Sequence, residues 1–141
     1  MTTENYKILA KYIKDMSSET ADVETYLYVK ENISKYHLKI DITSKPLKNK
    51  LVEVNTTLKF EDKDNNEKKS YFEIVYASII KVNDEIKDKK SMEKVILCDV
   101  QNDIYPNLEK SFLNLMHNSG FSNLKLEKKI DFDKLYSERF N

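Results

Sequence analysis

Ser70-Tyr71-Phe72-Glu73-Ile74-Val75-Tyr76-Ala77-Ser78-Ile79-Ile80-Lys81-Val82 is rich in β-branched and aromatic residues and contains neither Pro nor Gly. Those properties predict one long strand. Strand side chains alternate between two faces. Phe72, Ile74, Tyr76, Ile80 and Val82 share one face, interrupted only by small Ser78. Tyr71, Glu73, Val75, Ala77, Ile79 and Lys81 share the other. The first face is apolar enough for a core. The second is also largely apolar, but has a carboxylate near its start and a lysine near its end. A strand greasy on both sides needs cover on both, from this chain's own helices on one and from a partner on the other.

On either side of this strand the pattern alternates again. Upstream, Tyr36, Leu38, Ile40 and Ile42 face in while His37, Lys39, Asp41 and Thr43 face out, which predicts a half-buried antiparallel strand. Pro46 ends it, because proline cannot donate to a ladder. Leu51 to Phe60 gives a third strand, with Val52, Val54, Thr56, Leu58 and Phe60 inward. The polar run Asp62 to Asn66 is a hairpin loop leading back into the long strand. Residues 5–15 read as a fourth strand, Ser17-Ser18-Glu19-Thr20 as a turn, and Asp22 as the cap of a short helix from Val23 to Tyr28. Consecutive runs joined by short polar loops favour a meander.

After Val82 the period changes. Asn83 or Asp84 is expected to cap a helix reaching about Cys98, with Ile86, Met92, Val95 and Ile96 as its apolar stripe. A second helix, about Asp103 to Asn118, has a stronger stripe in Ile104, Leu108, Phe112, Leu115 and Met116. Pro106 is placed in its first turn. The lone glycine, Gly120, sits where a left-handed residue would end it. Phe121 to Lys129 reads as an extended connector. Asp131 then caps a last amphipathic turn or two with Phe132, Leu135, Tyr136 and Phe140. The fold class is α+β, a four-stranded antiparallel sheet followed by C-terminal helices packed on one face.

Composition narrows the function. At 141 residues the chain fits one domain. It is 34% charged with a formal net charge of zero, so nothing in bulk electrostatics favours nucleic acid or an anionic membrane. With one Gly and no Gly-rich loop, no phosphate cradle exists and no nucleotide cofactor is expected. The lone Cys98 forms no intrachain disulfide and reads as a small core residue. The N-terminus lacks a basic stretch followed by an apolar one, and no apolar run approaches the ~18–20 residues that span a bilayer. A cytoplasmic protein without membrane insertion is expected. His37 and His117 have no metal-ligand spacing, and no catalytic or metal set is identifiable. The nine Tyr and six Phe are more informative, because Tyr combines broad contact area with a wettable tip.

Taken in order, these features resemble the SecB family of protein-export chaperones. Tyr12-Ile13-Lys14-Asp15-Met16-Ser17-Ser18-Glu19 is similar to the end of the family's first strand, and Phe72 to Val82 to its long strand. Tyr105-Pro106, Gly120-Phe121 and Ile130-Asp131-Phe132-Asp133-Lys134-Leu135-Tyr136 resemble its Phe-Pro, Gly-Phe and Asp-Phe-x-x-Leu-Tyr signature. The resemblance runs over about residues 5–140. The family's Gly-Gly pair is Ala77-Ser78 here, its Cys-Pro falls at Val100-Gln101 and its Arg at Glu109.

The resemblance implies an ATP-independent holding chaperone, not an enzyme. It would be a homotetramer, a dimer of dimers, that binds unfolded preproteins and delivers them to the SecA motor ATPase. Family positions that contact the motor fall on Asp15, Glu19 and Glu73, with Tyr71 beside them in place of a Leu. Tyr26, Tyr28, Ile33, Tyr36, Ile80 and Val82 are the expected lining of a client-binding groove. Two other readings stay open: a related chaperone dedicated to one client such as an antitoxin, and a small α+β enzyme with a pocket between helices and sheet.

Overall fold

The computed structural model describes residues 5–62, 68–126 and 130–139. Most of the loop after Asp62, the end of the connector and Phe140 lie outside the described residues. β1 (Tyr6–Glu19), β2 (Tyr36–Pro46), β3 (Leu51–Asp62) and β4 (Tyr71–Val82) form one antiparallel sheet in the order β1-β4-β3-β2. The β2-β3-β4 part is the meander that the alternation predicts. β1 departs from it by pairing with β4 on the far side. The chain crosses from one edge of the sheet to the other through α1 (Val23–Glu31). Asp22 caps α1 by accepting the Thr25 N–H at 2.8 Å.

Ser17-Ser18-Glu19 is not a turn. It continues β1, with Ser17 opposite Glu73, Ser18 opposite Phe72 and Glu19 opposite Tyr71. Small polar residues are poor strand formers in isolation, but a long neighbour offering ladder partners overrides that preference. Pro46 is itself the last residue of β2, which its position on an edge strand permits.

The helices are joined differently from the expectation. α2 (Lys89–Lys94) runs through a π-type stretch, Val95–Asp99, directly into α3 (Val100–Asn118). Asp88 is the cap, accepting the Ser91 N–H at 2.9 Å. Asn83 instead closes a local turn by accepting the Glu85 N–H at 3.0 Å. Pro106 therefore lies inside the helix, not in its first turn. Both Pro106 and Asn102 one turn earlier are exposed, so water can satisfy the carbonyl that proline leaves unbonded.

Gly120 ends α3 as expected, at φ 102°. The Phe121 N–H bonds the Met116 carbonyl at 2.9 Å and the Gly120 N–H bonds that of His117 at 3.2 Å, a Schellman arrangement. α4 (Phe132–Arg139) starts at Asp131, which accepts the Lys134 N–H at 3.1 Å.

The core lies between the sheet and α3. Phe72, Ile74 and Ile80 of β4 meet Leu58 and Val54 of β3, and Ile104, Leu108, Phe112 and Met116 of α3 close over them. Phe60 stacks edge-on to Phe112 at 5.7 Å, and Phe72 to Phe121 at 5.6 Å. Gln101 is fully buried but satisfied, accepting from Thr56 at 2.8 Å and donating to the Ile96 carbonyl at 3.1 Å. The apolar stripe of α3 is thus covered by this chain's own sheet, and its outer side is polar.

Candidate functional site

The sheet face turned away from α3 is open. Register places Leu51, Glu53, Asn55, Thr57 and Lys59 of β3 on it, opposite Lys81, Ile79, Ala77, Val75 and Glu73 of β4. On β1, Tyr12 lies opposite Ala77, Asp15 opposite Val75, Ser17 opposite Glu73 and Glu19 opposite Tyr71. Asp15, Glu19, Tyr71 and Glu73 therefore share one end of this face. Ser17 Oγ lies 3.4 Å from an Asp15 carboxylate oxygen, and Lys59 is the cation nearest in register, beside Glu73. Further along, Lys14 reaches across β4 to Glu53 at 2.7 Å. That bond holds the Glu53 carboxyl below its usual range, helped by the Asn55 amide, and raises Lys14.

The two sheet edges differ. β2 is blunted by Lys39, Asp41, Lys45 and Pro46. β1 is not. Its fourteen residues are almost all exposed, and Leu9, Tyr12, Ile13 and Met16 are each between 42% and 50% accessible. Register slips between Ile8 and Ala10 and between Ile13 and Asp15 mark two bulges. A long edge with apolar side chains on both faces is a surface that seeks a partner.

The residues expected to line a client groove do not form one surface. Tyr36 is core, packed on Phe60 at 5.3 Å, with its hydroxyl accepting the Ser70 N–H at 3.1 Å. Ile80 is fully buried and Val82 nearly so, both under the helices. Alternation puts them on the inward face, and α2 and α3 close over that face. Val82 also lies ten residues along β4 from Phe72, roughly 30 Å from the Tyr36 end. Tyr26, Tyr28 and Ile33 are each half-buried, on or just after α1. The Tyr26 hydroxyl donates to the Gly120 carbonyl at 2.6 Å and its ring tilts on Phe121 at 5.3 Å, tying α1 to the end of α3.

Beside that strut opens a cleft of about 430 Å³ whose lining includes the apolar Ile33, Phe121 and Leu124 and the basic Lys30 and Lys125. Phe121 and Leu124 belong to the stretch read from sequence as a mere connector. Leu27, 54% exposed, adds apolar surface on α1.

Catalytic chemistry finds little support in the described residues. Cys98 is buried and donates to the Asp133 carboxylate. Burial first, then Asp133, pushes its thiol up to about 12, away from nucleophilic use. Burial likewise pushes the Tyr105 phenol up to about 12. Among the described residues no three His, Cys, Asp or Glu side chains converge as a metal site. None of the described helices is long and apolar enough to cross a membrane.

A family model described as "Preprotein translocase subunit SecB" matches residues 1–141. The chain belongs to the SecB family. It is 58% identical over 99% of its length to a provisionally assigned protein-export protein SecB of Pelagibacter ubique, and covers 99% of that relative. It is 24% identical over 95% of its length to the protein-export protein SecB of Bartonella quintana, and covers 83% of it. Its fold is similar to that of a SecB-like chaperone of Mycobacterium tuberculosis solved with a peptide from an antitoxin. That likeness has a TM-score of 0.63 over 89% of this chain and 91% of the other, at 9% identity. Membership of the SecB family and the SecB-like fold support a chaperone in protein export. The SecB-like features quoted from sequence fall where the fold needs them: Gly120-Phe121 closes α3, and Asp131-Phe132 opens α4 with Phe132 buried edge-on to Tyr105 at 5.4 Å.

Proposed function

We propose that this chain is an ATP-independent holding chaperone, one domain across residues 1–141. It takes up unfolded preproteins in the cytoplasm and delivers them to the SecA motor as a homotetramer built from two dimers. The observation that carries this reading is the apolar surface one copy leaves uncovered, at the β1 edge and around the cleft beside α1. β1 is the edge suited to self-association, because β2 is charged and ends in proline. The cleft offers an apolar floor to extended segments. Each large client side chain buried there contributes ~1.5–3 kcal/mol, so several such contacts hold a client without sequence specificity or nucleotide.

A stoichiometric amount of the protein is expected to slow aggregation of a chemically unfolded client measured by light scattering. An unchanged aggregation rate would defeat the holding function. Multi-angle light scattering at micromolar concentration is expected to give about four times the 16.7 kDa of one chain. A stable single-chain mass would defeat the assembly.

Delivery to SecA rests on Asp15, Glu19, Tyr71 and Glu73 lying together on the open face, where carboxylates complement a basic partner segment. A second reading, a chaperone dedicated to one client, is favoured by the antitoxin peptide bound to the Mycobacterium tuberculosis neighbour. A pull-down from cells yielding one dominant client instead of many would select it.

A further inference from the structure

The open face of the sheet carries charges that are symmetric in position and opposite in sign about the level of Ala77. Register sets Tyr12, Ala77, Asn55 and Thr43 side by side at that level. On β4, Glu73 lies four residues before Ala77 and Lys81 four residues after it. On β2, Asp41 lies two residues before Thr43 and Lys45 two residues after it. Val75, Ala77 and Ile79 form an apolar strip between the charged ends. Asp15 and Glu19 add to the acidic end, and Lys7, directly opposite Lys81, adds to the basic one. Two lysines facing each other across a ladder repel, and both are exposed. Among the described residues neither has an ion-pair partner. The carboxylates near them are already engaged, Glu53 with Lys14 at 2.7 Å and Asp84 with Lys50 at 3.2 Å.

We infer that a second copy of this chain docks on this face, sheet to sheet, about a two-fold axis that crosses the strands level with Ala77. That rotation reverses the strand direction. It lays Lys81 of one copy over Glu73 of the other and Lys45 over Asp41, while Ala77 meets Ala77 and Val75 meets Ile79. Each contact occurs twice, as an isologous interface requires. Lys59 and Glu53 fall over Leu51 and Thr57, and each keeps a neighbour of opposite charge in its own copy, Glu73 and Lys14. Four strands of 11 to 14 residues offer roughly 700 Å² per copy, so about 1,400 Å² in all, within the ~1,200–2,000 Å² of a specific interface. Pairing at the β1 edge extends a sheet without covering its face, so the two modes of association are compatible. The acidic end is also the surface proposed for SecA. On that reading, self-docking hides the motor site, and SecA must displace the second copy.

Sedimentation velocity on the full chain across a salt series tests this. At about 0.02 M salt the wild type is expected to form larger species than at about 0.5 M, with association weakened roughly tenfold or more over that range, because ion pairs on an exposed face are screened. Equal sedimentation at both would overturn the inference without any variant. Two charge variants fix the arrangement: Lys7→Glu with Lys81→Glu, and Asp15→Lys with Glu19→Lys and Glu73→Gln. Each alone should lose the low-salt species while keeping the wild-type circular dichroism spectrum. An equimolar mixture should regain them, because each contact again joins opposite charges. Low-salt species that persist in either variant alone, or a mixture that does not associate, would overturn the two-fold docking. SecA added at low salt is expected to disperse the wild-type species. Their persistence with SecA bound would overturn the masking, whereas failure of SecA to bind any form would overturn the motor reading and leave the self-docking standing.

Discussion

Changing Asp15 and Glu19 to Lys and Glu73 to Gln together is expected to weaken binding to SecA by about a factor of ten or more, while client holding is retained. Glu73 is neutralised rather than reversed because it lies opposite Lys59, and two lysines facing each other across a ladder would destabilise the sheet. Asp15 and Glu19 are exposed on β1, so their reversal leaves the core untouched. The register argument gives the test its resolution. All three carboxylates occupy one end of the open face, on the side of the sheet away from α3. The cleft beside α1 lies off that face, against the end of α3. A motor surface and a client surface that are physically separate should respond separately. Surface plasmon resonance against SecA, with the aggregation assay run in parallel, reads both. Wild-type affinity for SecA would remove these residues from the motor site. Parallel loss of both activities would show that the two surfaces are one.

Gly120→Val is expected to cost about 2–4 kcal/mol of stability, measured by urea unfolding at fixed protein concentration. Two separate penalties combine. At φ 102° a β-branched residue is strained whatever surrounds it. A Cβ at this position would also lie 2.5 Å from Tyr26 Cε1, and the Tyr26 ring is held in place by its bond to the Gly120 carbonyl and by Phe121. A double-mutant cycle with Tyr26→Ala separates them, because removing the ring relieves the clash but not the backbone strain. A loss below about 0.5 kcal/mol would mean the corner is not held as described. The same corner forms one wall of the cleft, so the variant should also weaken peptide binding in proportion to its loss of fold.

The long strand, the two hairpin partners and the helix stop were legible because each depends on local rules. Alternation over Phe72 to Val82 assigns both faces without knowing the neighbours. Gly120 follows from the conformation a helix end demands, and Asp22 and Asp131 from the orphan N–H groups of a first turn. The grouping of Asp15, Glu19, Tyr71 and Glu73 came from resemblance, and register brings them to one end of one face.

What failed depended on distant partners. Ser17 to Glu19 read as a turn because their strand character comes from β4, more than fifty residues on. Asn83 and Asp88 are equally good cap types, and only the path between β4 and α2 distinguishes them. Ile80 and Val82 were assigned to a groove because apolar residues look alike in sequence whether buried or exposed.

By itself the sequence determined that this chain makes a four-stranded antiparallel sheet with helices, and that β4 is apolar on both sides. Periodicity and chain-end chemistry are properties of neighbouring residues, so they survive without a fold. Only the tertiary structure decided which side of β4 α3 would cover, that β1 would cross to the far edge, and that exposed grease would collect there and beside α1. Those outcomes depend on which surfaces meet, and the loss of water between surfaces is not written in any one stretch of the chain.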